Sequence, residues 1–225
     1  MPSNEWEYAS VIVMKISGGL SCLGSGCIVQ AVCKKWRRRR SSLDPYQRIM
    51  ATMGAYDVLL SFFVFFMNTW MTPLKTGWWG AAGNVYTCST QVFFFNLGYI
   101  GVSASQALLS TSSLLIVVHG WTPNKFERKV EHRMHVVIFA AATAVALLLL
   151  STKTYIPSCI GCCWVIPAPI SCFPLSPVYD DGAECVRESL TIAPVIRLFG
   201  TGVLVLVAVY YAVAMYAIYR NVRNV

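Results

Sequence analysis

The chain has little charge. Asp, Glu, Lys and Arg make up 12% of its 225 residues, about half the share of a soluble domain. Acids are scarce, ten in all, and there are three histidines. No His, Cys or acid cluster has catalytic spacing within the apolar segments, so the residues point away from an enzyme. No His accompanies the cysteines after residue 152, which argues against a zinc site, and no cofactor is expected. The first ten residues have neither a basic n-region nor a small-residue cleavage site, so no removable signal peptide is expected. There is no internal repeat, and the arginine run is the one low-complexity tract. At this length one bundle is expected, with no soluble domain beside it.

Apolar residues take the place of charge: 56% are hydrophobic and the mean hydropathy is +0.56. The 22 residues from Leu198 to Tyr219 carry no charge, nor do the 43 between Lys75 and His119. A helix needs roughly 20 residues to cross the hydrocarbon of a bilayer. In lipid each backbone polar group must be bonded within its own segment, so helices are the natural form. Five spans are predicted, near 10–33, 48–71, 87–118, 135–151 and 192–219. The fold class is therefore an all-α polytopic membrane helix bundle, a single transmembrane domain over 1–225 with an outer loop at 152–190. The bilayer is its first partner.

Charge placement orients the bundle. Thirteen of the 18 Lys and Arg fall in the Lys34–Arg48 loop, the Lys125–Arg133 loop and the Arg220–Arg223 tail. With five spans these lie on one side, and the positive-inside rule makes that side cytoplasmic. The N-terminus, the Pro73–Tyr86 loop and the long Thr152–Arg187 loop are then outside. A multi-pass protein of the plasma membrane is expected, N-terminus out and C-terminus in. The run Lys34-Lys35-Trp36-Arg37-Arg38-Arg39-Arg40 directly follows a span, so it is read as a topogenic stop and anionic-lipid contact, with no nucleic-acid partner. Lys15, inside the first span, is expected to reach for the outer headgroups. The small residues Gly18, Gly19, Ser21, Gly24, Ser25 and Gly26 favour close helix contact there. The fourth span is short, with Val136–Leu150 as its apolar heart and Thr143 its one polar residue; it reads as peripheral.

Two polar faces stand out. Asn96, Tyr99, Ser103, Gln106, Ser110 and Ser113 recur at helical spacing along the third span. They face a bundle interior or hydrated cavity, or they join helices through hydrogen bonds. Either way the third helix is central. In the second span Met50, Gly54, Asp57, Ser61, Val64 and Asn68 share a face. Asp57 is the one strongly ionisable group at depth, where an unpaired charge costs a few kcal/mol. It titrates, binds a cation, bonds to hydroxyls such as those of the third helix, or holds two helices together as a protonated acid. Arg197, at the outer end of the fifth span, reads as an interfacial anchor.

Six of nine cysteines, Cys88, Cys159, Cys162, Cys163, Cys172 and Cys185, lie on the outer side, which fits an oxidising compartment and disulfides. Their pairing does not follow from the residues, since six cysteines permit fifteen full connectivities. Cys22, Cys27 and Cys33 fall in the first span, and Cys33 precedes the basic run as a palmitoylation candidate.

Several segments together resemble the G-protein-coupled receptor superfamily, nearest to the cyclic-AMP-receptor-like and related orphan receptors of microbial eukaryotes. They are Tyr46–Ser61, Thr69–Pro73, Gly83–Gly98, Cys163-Trp164-Val165 and Ile218–Arg223. The resemblance implies that the five spans correspond to helices 1–5 of a seven-helix receptor, with the chain cut short after the fifth. It implies that Asp57 is the inward-facing acid of helix 2, a polar switch with Ser103 and Gln106. It ties Cys88 to the second outer loop, with Cys163 as first choice of partner and Cys172–Cys185 as a second bridge. The Asp-Arg-Tyr signature of rhodopsin-like receptors is absent; Leu114–Trp121 reads LLIVVHGW.

The leading functional expectation is a receptor that senses an extracellular ligand and signals through a heterotrimeric G protein. Ligand contacts are expected from Asn68, Gln91, Asn96 and Tyr99 beneath Trp164. Partner contacts are expected from Lys125, Arg128, Lys129, Arg220 and Arg223. A transporter or channel subunit using Asp57 and the polar stripe, and a tetraspanin-like scaffold, are the other readings.

Overall fold

Asp44-Pro45, Asn84 and Thr122-Pro123 each open a helix in the computed structural model, which describes residues 4–39, 44–76, 78–151, 155–157, 162–165 and 187–223. Proline fits the first helical position because its missing N–H would have no partner there. Asn84 accepts through Oδ1 from the N–H groups of Tyr86 (2.9 Å) and Thr87 (3.0 Å), and the Thr87 hydroxyl accepts from the Asn84 N–H at 2.7 Å. That reciprocal cap satisfies donors a helix start would otherwise leave orphaned.

The helices are α1 (Asn4–Arg39), α2 (Pro45–Phe66), α3 (Val85–Val117), α4 (Pro123–Ser151) and α5 (Arg187–Arg223). The first four contain stretches long and apolar enough to cross a membrane. The 37-residue α5 carries a shorter apolar stretch, Val205–Asn221, among its described side chains. All five begin before the boundaries expected from hydropathy; α1 and α5 also end beyond them, α3 and α4 end within a residue of them, and α2 ends early. Its last turn, Ser61–Phe66, is a π turn, and separate 3₁₀ turns follow at Asn68–Met71 and Leu74–Thr76. The short fourth span is corrected to a 29-residue helical run, because the Lys125–Arg133 loop is itself helical and includes a π turn at Glu127–Glu131. Charge marks where a helix leaves lipid, not where it stops. After α4, β1 (Tyr155–Pro157) and β2 (Cys163–Val165) form an antiparallel hairpin with Ile156 opposite Trp164.

The third helix is central, as its polar stripe requires: α3 packs against α2, α4 and α5, while α1 leans chiefly on α2. Glycine sets how close α2 can come. A Cβ on Gly98 would lie 2.8 Å from Leu60 Cβ and 3.0 Å from the Tyr56 carbonyl oxygen, and one on Gly101 would overlap the Tyr56 ring. Around this contact Ile49, Tyr56, Leu97, Leu108, Phe126, Ile138 and Ala142 form the main core. From α4 only one face is buried (Ile138, Ala142, Ala146 and Leu149), with Val136, Val137, Phe139, Leu147 and Leu148 outward. It is a peripheral helix. The α1 small residues divide: Gly18 is pressed on Phe65, whereas Gly24 and Gly26 have open space around them.

The bundle has a disulfide end, where α3 begins beside the hairpin, and a basic end. At the basic end Gly120, with φ +64, lets the chain turn out of α3, and the Trp121 N–H bonds back to Leu115 O at 3.0 Å. Asn221 of α5 donates to the Val117 carbonyl at 3.2 Å, joining α5 to the same end of α3.

Candidate functional site

At the disulfide end Cys88 in the first turn of α3 is bonded to Cys163 in β2. One turn on, Gln91 is fully buried. Its Nε2 donates to the carbonyls of Phe63 and Asn68, both at 3.0 Å, and its Oε1 accepts from the Cys163 N–H at 2.8 Å. Only this amide orientation satisfies two acceptors and one donor together. The π turn and the break after it free carbonyls that an uninterrupted α-helix would bond, and Gln91 takes up two of them. Lys15 takes another: its Nζ donates to Phe66 O at 3.2 Å and sits 4.0 Å over the Trp70 ring. Its ammonium therefore closes the carbonyl end of α2, where a cation is favoured. Asn68, at φ 22, is fully buried and donates to Met14 Sδ at 3.3 Å; its Oδ1 has no partner.

Gln91, expected to touch a ligand, thus spends its bonds on the protein, while the side chain of Asn68, expected to do the same, bonds only through its amide nitrogen to Met14. Asn96 is buried and donates to Val92 O at 2.8 Å in its own helix. Tyr99 is half-buried and stacks on Phe95. Ser103 and Gln106 are also half-buried. Ser110 and Ser113 bond back to Gln106 O and Leu109 O. Of Trp164 the structure describes the backbone only, and Cys172 and Cys185 lie outside the described residues.

Asp57 does not meet the α3 stripe. Its Oδ2 accepts from Ser25 Oγ at 2.5 Å and Ser21 Oγ at 3.0 Å, both on α1. On α2 it is Tyr56 and Leu60, one residue before and three after, that turn to α3. The expected hydroxyl partners are corrected accordingly from helix 3 to helix 1. In a helix a shift of one residue is about 100°, enough to change which neighbour is met.

At the basic end Arg48, one of the loop charges, joins a cluster with two acids of α4. Arg48 of α2 holds Glu131 of α4 through Nε (2.6 Å) and an Nη (2.8 Å), and reaches Glu127 at 3.0 Å. Glu131 is 3% exposed, and His135 Nε2 lies 3.9 Å from it. A two-pronged guanidinium–carboxylate bond is the strong form of such a pair. The clamp borders a groove of about 560 Å³ between α1, α2 and α4, with Trp36 and Cys33 on its far wall. Its sequence signal is the placing of Glu127 and Glu131 one helical turn apart in an otherwise basic segment. Lys125, Arg128, Lys129, Arg220 and Arg223 are all exposed at this end, Lys125 lying 4.5 Å over the Trp121 ring. Among the described residues no group of His, Cys, Asp and Glu has the arrangement of a metal site. In comparisons with known proteins, no family model and no curated protein matches the chain.

Proposed function

We propose that the chain is a receptor-type membrane protein of the G-protein-coupled kind, with five spans corresponding to the first five helices of a seven-helix receptor. Its N-terminus and disulfide end face outside, and its basic end faces the cytoplasm of the plasma-membrane cell. One observation carries the reading. The central helix is tied at its start to the hairpin that follows α4, through Cys88–Cys163, while the opposite end of the same bundle is a basic surface. An outer ligand that favours one of two arrangements of such a bundle shifts the population that a cytoplasmic partner sees. Tyr99, with Ser103 and Gln106 deeper, supplies the ligand-facing polar groups, and Asn96 supports them from within. Lys125, Arg128, Lys129, Arg220 and Arg223 form the surface for a heterotrimeric G protein. The turning of Asp57 toward α1 separates it from the stripe, which weakens the reading of one continuous ion path through both.

The test uses the chain in vesicles and a purified nucleotide-free G-protein heterotrimer. Association is expected, and reversing Lys125, Arg128 and Lys129 to Glu should weaken it at least tenfold. A heterotrimer that never binds, or that binds equally well after charge reversal, would defeat the proposal. Proton or ion flux that depends on Asp57 would favour the transporter instead.

A further inference from the structure

The π turn that ends α2 has an ordinary α-helical turn as its alternative. An α-helical pattern would close the same residues with bonds one residue shorter, and π turns persist only where their surroundings hold them. Here the Met67 N–H bonds to Phe62 O at 2.9 Å, five residues back. Asn68 then takes a positive φ that most L residues avoid, and leaves Oδ1 unpaired although fully buried. Both features cost free energy. What holds them is the Gln91 amide, which grips the carbonyls on either side of the break, Phe63 O and Asn68 O. Gln91 is in turn held by the Cys163 N–H, and Cys163 is fixed by the disulfide to Cys88, three residues before Gln91 on α3. The chain of contact is continuous: disulfide, hairpin amide, buried glutamine, strained end of α2. Lys15 carries it on to α1, since it caps Phe66 O at the close of the same turn.

We propose that Gln91 is a latch through which the Cys88–Cys163-tethered hairpin holds the outer end of α2 in its π-turned form. Whatever releases the hairpin releases that end of α2. Reduction is the cleanest release. A dithiol reagent breaks the S–S bond, two protein thiols form, and the reagent, having given up two electrons and two protons, closes to its own disulfide. The freed β2 strand no longer presents the Cys163 N–H, and one of the three bonds that orient the amide is lost. Gln91 is a positioning residue in this arrangement, independent of which ligand or partner the bundle serves.

Hydrogen exchange on the full chain in lipid nanodiscs, with and without dithiothreitol, tests the latch. Reduction should speed exchange at the amides of Met67, Trp70 and Thr72 about tenfold, the change expected from loss of one buried hydrogen bond. Amides around Glu131 at the basic end should not change. Gln91→Glu keeps the acceptor for the Cys163 N–H but can donate to one of the two carbonyls at most, since even a protonated carboxyl carries a single O–H. It should leave the hairpin protected while the end of α2 exchanges fast even when oxidised. Should Gln91→Glu fold poorly, Cys88→Ala with Cys163→Ala must reproduce the effect of reduction. Two results would overturn the proposal: a hairpin that loosens while Met67, Trp70 and Thr72 stay protected, or equal loosening of both ends.

Discussion

Single residues act here through what they approach more than through what they are. Gly24 and Gly101 are alike in sequence, yet a Cβ on Gly101 would overlap Tyr56 while one on Gly24 would meet nothing. Gly101→Ala should lower stability by about 1–3 kcal/mol, the usual cost of overpacking. Gly24→Ala should be neutral or stabilise by up to about 1 kcal/mol through helix propensity. The fraction of monodisperse protein left after heating in detergent checks both, and equal losses would contradict the assigned packing. Asp57 gives a second test. Its role as acceptor for Ser21 and Ser25 survives Asp57→Asn, which keeps one side-chain oxygen, but not Asp57→Leu. Interhelical hydrogen bonds in membranes are worth about 0.6 kcal/mol on average. The Asn variant is therefore expected to match the parent in the same heating assay, and the Leu variant to fall short by about 1 kcal/mol. An Asn variant as unstable as the Leu variant would mean that the charge itself is required.

At the scale of elements, the joints between helices are polar and the faces between them apolar. The α2–α4 joint is the clearest: Arg48 reaches across to Glu131, which is buried at the π turn of α4. Removing one partner of a buried ion pair strands the other, at about 3–5 kcal/mol. Arg48→Met should therefore destabilise strongly, and Glu131→Gln added to it should restore part of the loss because no charge is then left unpaired. Thermal denaturation of the two variants decides this; a double variant weaker than Arg48→Met alone would show that the pair is not the source. Hydropathy places the starts of α2, α3 and α4 near 48, 87 and 135, whereas the helices open at Pro45, Val85 and Pro123, because caps and first turns are polar and carry no hydropathy signal. The π turns at Ser61–Phe66 and Glu127–Glu131 were not legible, because no residue type demands them. They arise where packing against α1, α3 and the Arg48 clamp rewards an extra residue in the turn.

For the whole molecule the decisive question is which end faces the cytoplasm. With the basic end inside, a cysteine placed at Lys129 should be labelled by a membrane-impermeant maleimide only in opened cells. One placed at Leu74, which is 71% exposed at the disulfide end, should be labelled in intact cells. The reverse pattern would invert the assignment made from charge. A bundle whose described α1 and α5 side chains are largely outward and apolar, as at Val13, Leu20, Leu23, Val205, Leu206 and Val213, is suited to lipid, where such faces carry no penalty.

Sequence by itself determined what depends on composition along the chain: helices in apolar runs, basic charge gathered at one end, a polar stripe that makes the third helix central. Those are properties of solvent preference and of helical period, and both are read one segment at a time. Tertiary structure decided which neighbour each polar group meets. Asp57 turned to α1, Gln91 to the break in α2, and Arg48 to Glu131 eighty-three residues away. A buried hydrogen bond or ion pair depends on ångström distances between segments, and those are set only when the helices have packed.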